Sequence, residues 1–270
     1  LSGVRAKLGR AYEHLSALYD EIARLSEQYA NTTFVDFSRD SEWHVVSIRP
    51  FPEFPLRLSL IAGDFFINAR AVLDHIVWQL VLREGKQPKN TNDFPIFTDT
   101  EKFIHEVKSP TKKSEQRSPL YGIPVDGDAW AIIERAQPWN HSKIDGLQPR
   151  HDMLAALALL SNIDKHRIVF VSMPLVDQKI LSEAVGWTPS DIQPVEMRLA
   201  AWGPLSHEEP TEVMRLRFPT DTEVSMHMKR RLRIGPTFGD ENTQVGGLRS
   251  IYERISKIVD EVGALPRVNG

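Results

Sequence analysis

Apolar residues recur at three- and four-residue spacing along four stretches of the chain, the period of a helix with one buried side. The first runs near 2–29, with Val4, Leu8, Leu15, Leu18, Ile22 and Leu25 on one face and Ser2 as its N-cap. The second runs near 56–84, where Phe65, Ala69, Val72, Leu73, Ile76 and Leu80 share one broad side and Gly85 suits the position just past the end. A third, near 148–166, is rich in leucine and alanine (Leu154, Leu157, Leu159, Leu160), and a fourth, near 243–263, carries Leu248, Ile251, Ile255, Ile258 and Val259. Between them the period drops to two. TTFVDF and EWHVVSIR, separated by the polar cluster SRDS, predict a β-hairpin over 32–50, closed by the prolines of RPFPEFP. IVFVSM predicts a buried strand at 168–173, and VEMRLAAW, TEVMRLRF and TEVSMHMKRRLRI predict an antiparallel meander over 191–235. TEKFIHEV, capped by Thr98 or Asp99, and DGDAWAIIERAQ, ended by Pro138, predict two short helices, with a polar link over 139–150. KSPTKKSEQRSP reads as a basic, mobile loop tip.

The expected fold is therefore α+β: a bundle of about four long helices with an antiparallel sheet and a hairpin, in one domain spanning 1–270. Composition adjusts this picture little. The 270 residues are 41% hydrophobic and 26% charged, ordinary for a globular chain. A net charge of -3 implies no global attraction to nucleic acid, so any such contact requires a local basic patch. Lys229, Arg230 and Arg231 form one candidate for phosphate, and the loop from Lys108 to Arg117 another. Against both stands the simpler view that a run of charge is a solvated face. The absence of cysteine excludes disulfides, thiolate zinc sites and cysteine nucleophiles. No run of 18 apolar residues predicts a membrane span, and a cytoplasmic protein is the simplest reading. The chain opens on Leu1-Ser2, which leaves room for a removed N-terminal segment.

Candidate chemistry concentrates on the second helix. Asp64, Asn68, His75 and Gln79 line a stripe beside its apolar face, and Arg70 and Asp74 stand one turn apart. A second cluster, Asn162, Asp164 and His166 within NIDKHR, ends the third helix and could meet the first cluster between two packed helices. Asp64, His75, Asp164 and His166 are able metal ligands. Yet no HExxH or Glu-x-x-His spacing is present, and Asp64 and His75 lie about 16 Å apart along the axis, so neither metal nor cofactor is expected.

Arg70-Ala71-Val72-Leu73-Asp74-His75 resembles the R-x4-6-H motif of the HEPN superfamily, helical-bundle proteins that are often metal-independent ribonucleases. The wider pattern, RAVLDH with FPIF and NIDKHR after it, is similar to a widespread group of bacterial proteins. The resemblance implies an endoribonuclease or a nucleotide-binding protein, with RNA or nucleotide as partner. In it His75 is the acid or base and Arg70 the phosphate clamp, supported by Asp64, Asn68, Asp74, Asn162, Asp164 and His166. The residue after the arginine, polar in most such ribonucleases, is Ala71 here. Arg70 and His75 diverge by about 140° on an ideal helix, so they would converge only in a groove, such as one made by two copies in a homodimer. The alternative is a non-catalytic ligand- or protein-binding module, in which Arg70 pairs with Asp74 and His75 is an ordinary polar side chain.

Overall fold

The four periodic stretches are the four long helices of the structure, a computed structural model that describes residues 1–28, 35–50, 53–108, 118–146, 148–169, 171–172, 182–199, 208–220, 222–229, 236–239 and 243–266. In chain order the elements begin α1 (Ser2–Gln28), β1 (Val35–Asp40), β2 (Trp43–Ile48), α2 (Leu56–Arg83) and α3 (Thr100–Phe103), which runs into a π-type turn, Ile104–Lys108. Then follow α4 (Asp128–Ala136), α5 (Pro138–Asp145), a 3-10 turn (Pro149–His151), α6 (Met153–His166), β3 (Val171–Ser172), β4 (Val185–Thr188) and β5 (Glu196–Leu199). The last are β6 (Thr211–Arg217), β7 (Ser225–Met228), β8 (Thr237–Phe238), β9 (Thr243–Gln244) and α7 (Val245–Gly263). The chain is α+β, with more helices than the four long ones because short helices lie at 100–108 and 128–145.

It divides into two compact units, each discontinuous in sequence: residues 1–20, 56–170 and 245–270, and residues 21–55 and 171–244. The first is helical. α2 is its centre and packs against α6 and α7, which also pack on each other. Leu58, Ala62, Phe65, Phe66, Ala69, Leu73 and Ile76 of α2 are fully buried, with Leu154 and Leu157 of α6 and Leu248, Ile251 and Ile255 of α7. α1 contributes Val4, Leu8, Ala11, Leu15 and Leu18. By length and composition α2 would serve as a membrane span, although about 50% of its most apolar window is buried inside the protein.

The helix expected to close at Pro138 does end there, at Ala136, but Pro138 also opens a further helix where a polar link was expected. It occupies the first turn of α5, where its missing N–H costs nothing, and Gly146 ends that helix in the left-handed region at φ 72°. Asp99 caps α3 by accepting from the Lys102 N–H at 3.0 Å, and Asp152 caps α6 by accepting from Leu154 N–H at 2.8 Å.

The second unit holds the strands. Its largest sheet is antiparallel in the order β1-β2-β6-β5. The hairpin expected near 32–50 is present, but β1 runs on through Ser38, Arg39 and Asp40. The turn is the two residues Ser41 and Glu42, with Ser41 at φ 54°. β5 and β6 pair as the meander predicts. The third strand, β7, does not follow them: it pairs with β4, because β2 and β5 already occupy both edges of β6. Val35, Val46, Val185, Met214, Leu216 and Phe218 form the core of this unit. The strand expected at 168–173 is seen as Val171–Ser172, paired with β8.

Candidate functional site

Arg70 and Asp74 act together on one residue of the loop that follows α2. Arg70 Nη2 donates to the Phe94 carbonyl oxygen at 2.7 Å, and Asp74 Oδ1 accepts from the Phe94 N–H at 3.0 Å. The two side chains also pair with each other at 3.0 Å, as their i,i+4 spacing allows. Both main-chain polar groups of Phe94 are thus satisfied, and its ring is fully buried in the helical core. Asp93 lies 3.6 Å from the same guanidinium nitrogen. Burial raises the Asp93 carboxyl above the usual carboxylate range, while Arg70 and Lys165 draw it back down and Asp74 pushes it up.

The fastening continues on both sides. Asn92 donates to the carbonyls of Pro119 (3.0 Å) and Tyr121 (2.9 Å) and accepts from the Lys89 N–H. Gln137, fully buried, donates to the Pro95 carbonyl at 2.8 Å and accepts from the Phe97 N–H at 3.0 Å. The FPIF stretch is therefore held main chain to side chain by Arg70, Asp74 and Gln137. A non-helical segment lying on the core needs such partners for every buried polar group.

His75 points away from this network. It is exposed, and among the described residues no hydrogen bond or ion pair reaches it. Asn68 turns back on its own helix, donating to the Asp64 carbonyl at 2.8 Å.

The meeting of the two polar clusters is partial. Asp164 of α6 packs directly over Gly63 of α2, where an added Cβ would sit 2.2 Å from the carboxylate oxygen Oδ1. Burial raises the Asp164 carboxyl, and the nearby Asp64 charge adds to the effect. Asp64 lies 3.8 Å from His14 Nδ1 of α1, a largely buried histidine that the sequence reading passed over. Asn162, Lys165 and His166 are exposed on the last turn of α6. So Asp64 and Asp164 come together across α2 and α6, whereas His75 and His166 remain on the surface. Among the described residues no group of three His, Asp or Glu side chains is placed to hold a metal ion.

Of the phosphate candidates, Lys229 sits beside β7 with its ammonium 5.3 Å from the centre of the Trp187 ring, and Arg230 and Arg231 lie outside the described residues. The other basic loop lies outside them beyond Lys108, whose ammonium pairs with Glu134 at 2.9 Å.

A polar cluster unsuspected from sequence lies elsewhere in the helical unit. Asp152, 4% exposed, brings Oδ2 to 3.0 Å from His141 Nδ1 and 3.8 Å from Arg254 Nη2. Arg254 also donates to the Ala136 carbonyl at 3.1 Å. A buried capping carboxylate beside a histidine and an arginine ties α5, α6 and α7 together. Its residues are 113 positions apart at the extremes, so no local spacing announces it. Comparison of the chain with protein-family models, with curated proteins and with solved structures gives no match.

Proposed function

We propose that this protein is a non-catalytic binding module in which the Arg70–His75 hexad is a structural fastening. One observation carries this reading: the guanidinium of Arg70 already serves the Phe94 carbonyl, Asp74 and Asp93, and its side chain is only 14% exposed. A phosphate clamp needs its fork open toward the ligand. Here an incoming phosphate would have to displace a backbone carbonyl and two carboxylates. The ribonuclease reading keeps one point in its favour, the exposed imidazole of His75, available for proton transfer.

A metal-free cleavage assay on RNA separates the two. The binding reading expects no cleavage by the purified protein and an unchanged thermal melt for His75→Ala. Cleavage that disappears in His75→Ala, with the melt unaltered, would overturn it and assign His75 to acid–base chemistry.

A further inference from the structure

On β2 the side turned to the core of the sheet unit carries His44, Val46 and Ile48. Valine and isoleucine are what a strand over a core requires; a histidine, 9% exposed in the same row, is not. Its cross-strand neighbours are Arg39 on β1 and the fully buried Leu216 on β6. Its ring stands edge-on to that of Phe218, with centres 5.3 Å apart and planes at 90°. Phe218 in turn meets the ring of Trp187 on β4 at 5.5 Å. The three rings therefore run from the four-stranded sheet to the β4–β7 pair, and His44 stands at one end of that seam.

These surroundings suit an imidazole only while it is neutral. The strands packed around it turn Met214, Leu216, Val185 and Met228 inward. The charged groups on this side are cations: Arg39 opposite the ring, and Lys229, whose ammonium lies 5.3 Å from the centre of Trp187. The carboxylates of Asp40, Glu42 and Glu196 are engaged on the other face by Arg215 and Arg217. Among the described residues no hydrogen bond or ion pair reaches the His44 ring. Burial first, and the charge of Arg39 second, hold its pKa below the ordinary 6.5. The folded state thus binds this proton less tightly than the unfolded state. Stability falls as pH drops through 6.5 and goes on falling until the folded value is passed.

We propose that His44 is an acid-sensitive catch between the two sheets: when its imidazole takes up a proton, the β4–β7 pair loosens from the four-stranded sheet and the apolar seam between them opens to water. A cation placed on the Phe218 ring edge, opposite a second cation, has no carboxylate to pair with, and separation of the sheets lets water reach it. This goes beyond the binding reading above and stands whichever way the RNA assay falls, because no residue of the Arg70 network takes part.

The test follows hydrogen exchange of the full chain between about pH 7.5 and about pH 5, corrected for the intrinsic pH dependence of exchange. His44→Phe keeps an aromatic ring and removes the proton site. On acidification the amides of β4 and β7 are expected to exchange at least about tenfold faster in the parent than in His44→Phe, the factor that one pKa unit represents. Those of α2, in the helical unit, respond alike in both proteins. His44→Gln, polar but without a titration in this range, follows His44→Phe. In the parent, the His44 Cε1 resonance, identified by its absence from both variants, titrates below 6.5. An equal response of β4 and β7 in the parent and both variants overturns the proposal. So does a His44 titration at or above 6.5, which would mean that the folded protein accepts the proton without opening.

Discussion

The two units of this chain spend their charged residues in opposite ways. In the helical unit two sets of charges sit low and act on the backbone, while Arg10–Glu13, Arg135–Glu261 and Arg249–Glu253 pair on its surface. Arg70 and Asp74 hold the two polar groups of Phe94, and Asp152, 4% exposed, caps α6 while drawing His141 and Arg254 toward it. In the sheet unit the charges sit on an open face and act on each other. Along β6, Met214 and Leu216 turn inward, while Arg215 and Arg217 turn outward. Arg215 is clasped by Glu212 and Asp40, and Arg217 by Glu196 and Glu42. The guanidiniums of Arg198 and Arg217 flank the ring of Trp43. Both units are rich in ion pairs, but their energetic standing differs. Removing one partner of a shielded pair strands a desolvated group, whereas exposed pairs trade one hydration for another. What a pair touches besides its partner decides what it contributes.

The sharpest way to break this contrast is at Arg70. Arg70→Leu keeps the aliphatic stem but strands the Phe94 carbonyl and leaves Asp74 beside Asp93 with no cation between them. We expect a loss of about 3 kcal/mol, from one unsatisfied buried carbonyl and one broken shielded pair. Denaturant unfolding measures it, and limited proteolysis should show new cleavage within 85–97. Arg70→Lys recovers little, because a single ammonium cannot serve a carbonyl and two carboxylates in one plane. A loss under about 1 kcal/mol would mean that the loop is held by Asn92 and Gln137 alone.

How much of this was legible depends on how far each contact reaches along the chain. The helices around Leu15, Ile76, Leu157 and Ile255 follow from local periodicity, which is a property of neighbouring residues. So does the i,i+4 pairing of Arg70 with Asp74. What that pair is for is not local: Phe94 is 20 residues on from Asp74, and no spacing rule joins them. Gly63 under Asp164 is a contact over 101 positions, and glycine inside a helix signals close approach without naming the neighbour. Alternation in Ser225–Met228 tells which residues share a face but not which strand lies alongside, so β4 was unforeseen as its partner. The helix Pro138–Asp145 reads as a polar link because proline is compatible both with the end of one helix, which it marks here, and with the first turn of the next.

A smaller effect sharpens the comparison within the helical unit itself. Asp164 is partly buried over Gly63, and Asp64 is its charged neighbour rather than a cation. Its carboxyl is raised above the ordinary value of 3.8 by burial first and by Asp64 second. A raised carboxyl means that the folded state binds the proton more tightly than the unfolded state. Folding therefore carries no penalty below the unfolded value, and a penalty that grows as pH rises through the folded one. Asp164→Asn imitates the protonated form. It should stabilise the protein at pH 7 by up to about 1 kcal/mol, with the gain vanishing below about pH 4. Melts at the two pH values check the sign. Equal gains at both would show that packing over Gly63, not charge, limits this contact.

The least effect is expected where the ion pairs look strongest. Arg215 holds Glu212 with two hydrogen bonds of 2.6 and 2.8 Å and Asp40 with a third of 2.8 Å. These partners raise its pKa well above the ordinary arginine value. That shift has no consequence for stability near neutral pH, since an arginine is charged there in both the folded and unfolded states. The carboxylates it would leave behind are accessible to water, so Arg215→Ala strands nothing. The melting temperature should move by only about 1 °C, and by less still in molar salt, where exposed charges are screened beyond about 3 Å. The inward neighbour on the same strand provides the internal control: Met214→Ala removes a side chain that is 1% exposed and should cost about 2–5 kcal/mol. If Arg215→Ala proved as costly as Met214→Ala, the open charged face of the sheet would be a structural element in its own right. The distinction drawn between the two units would then fail at its weaker end.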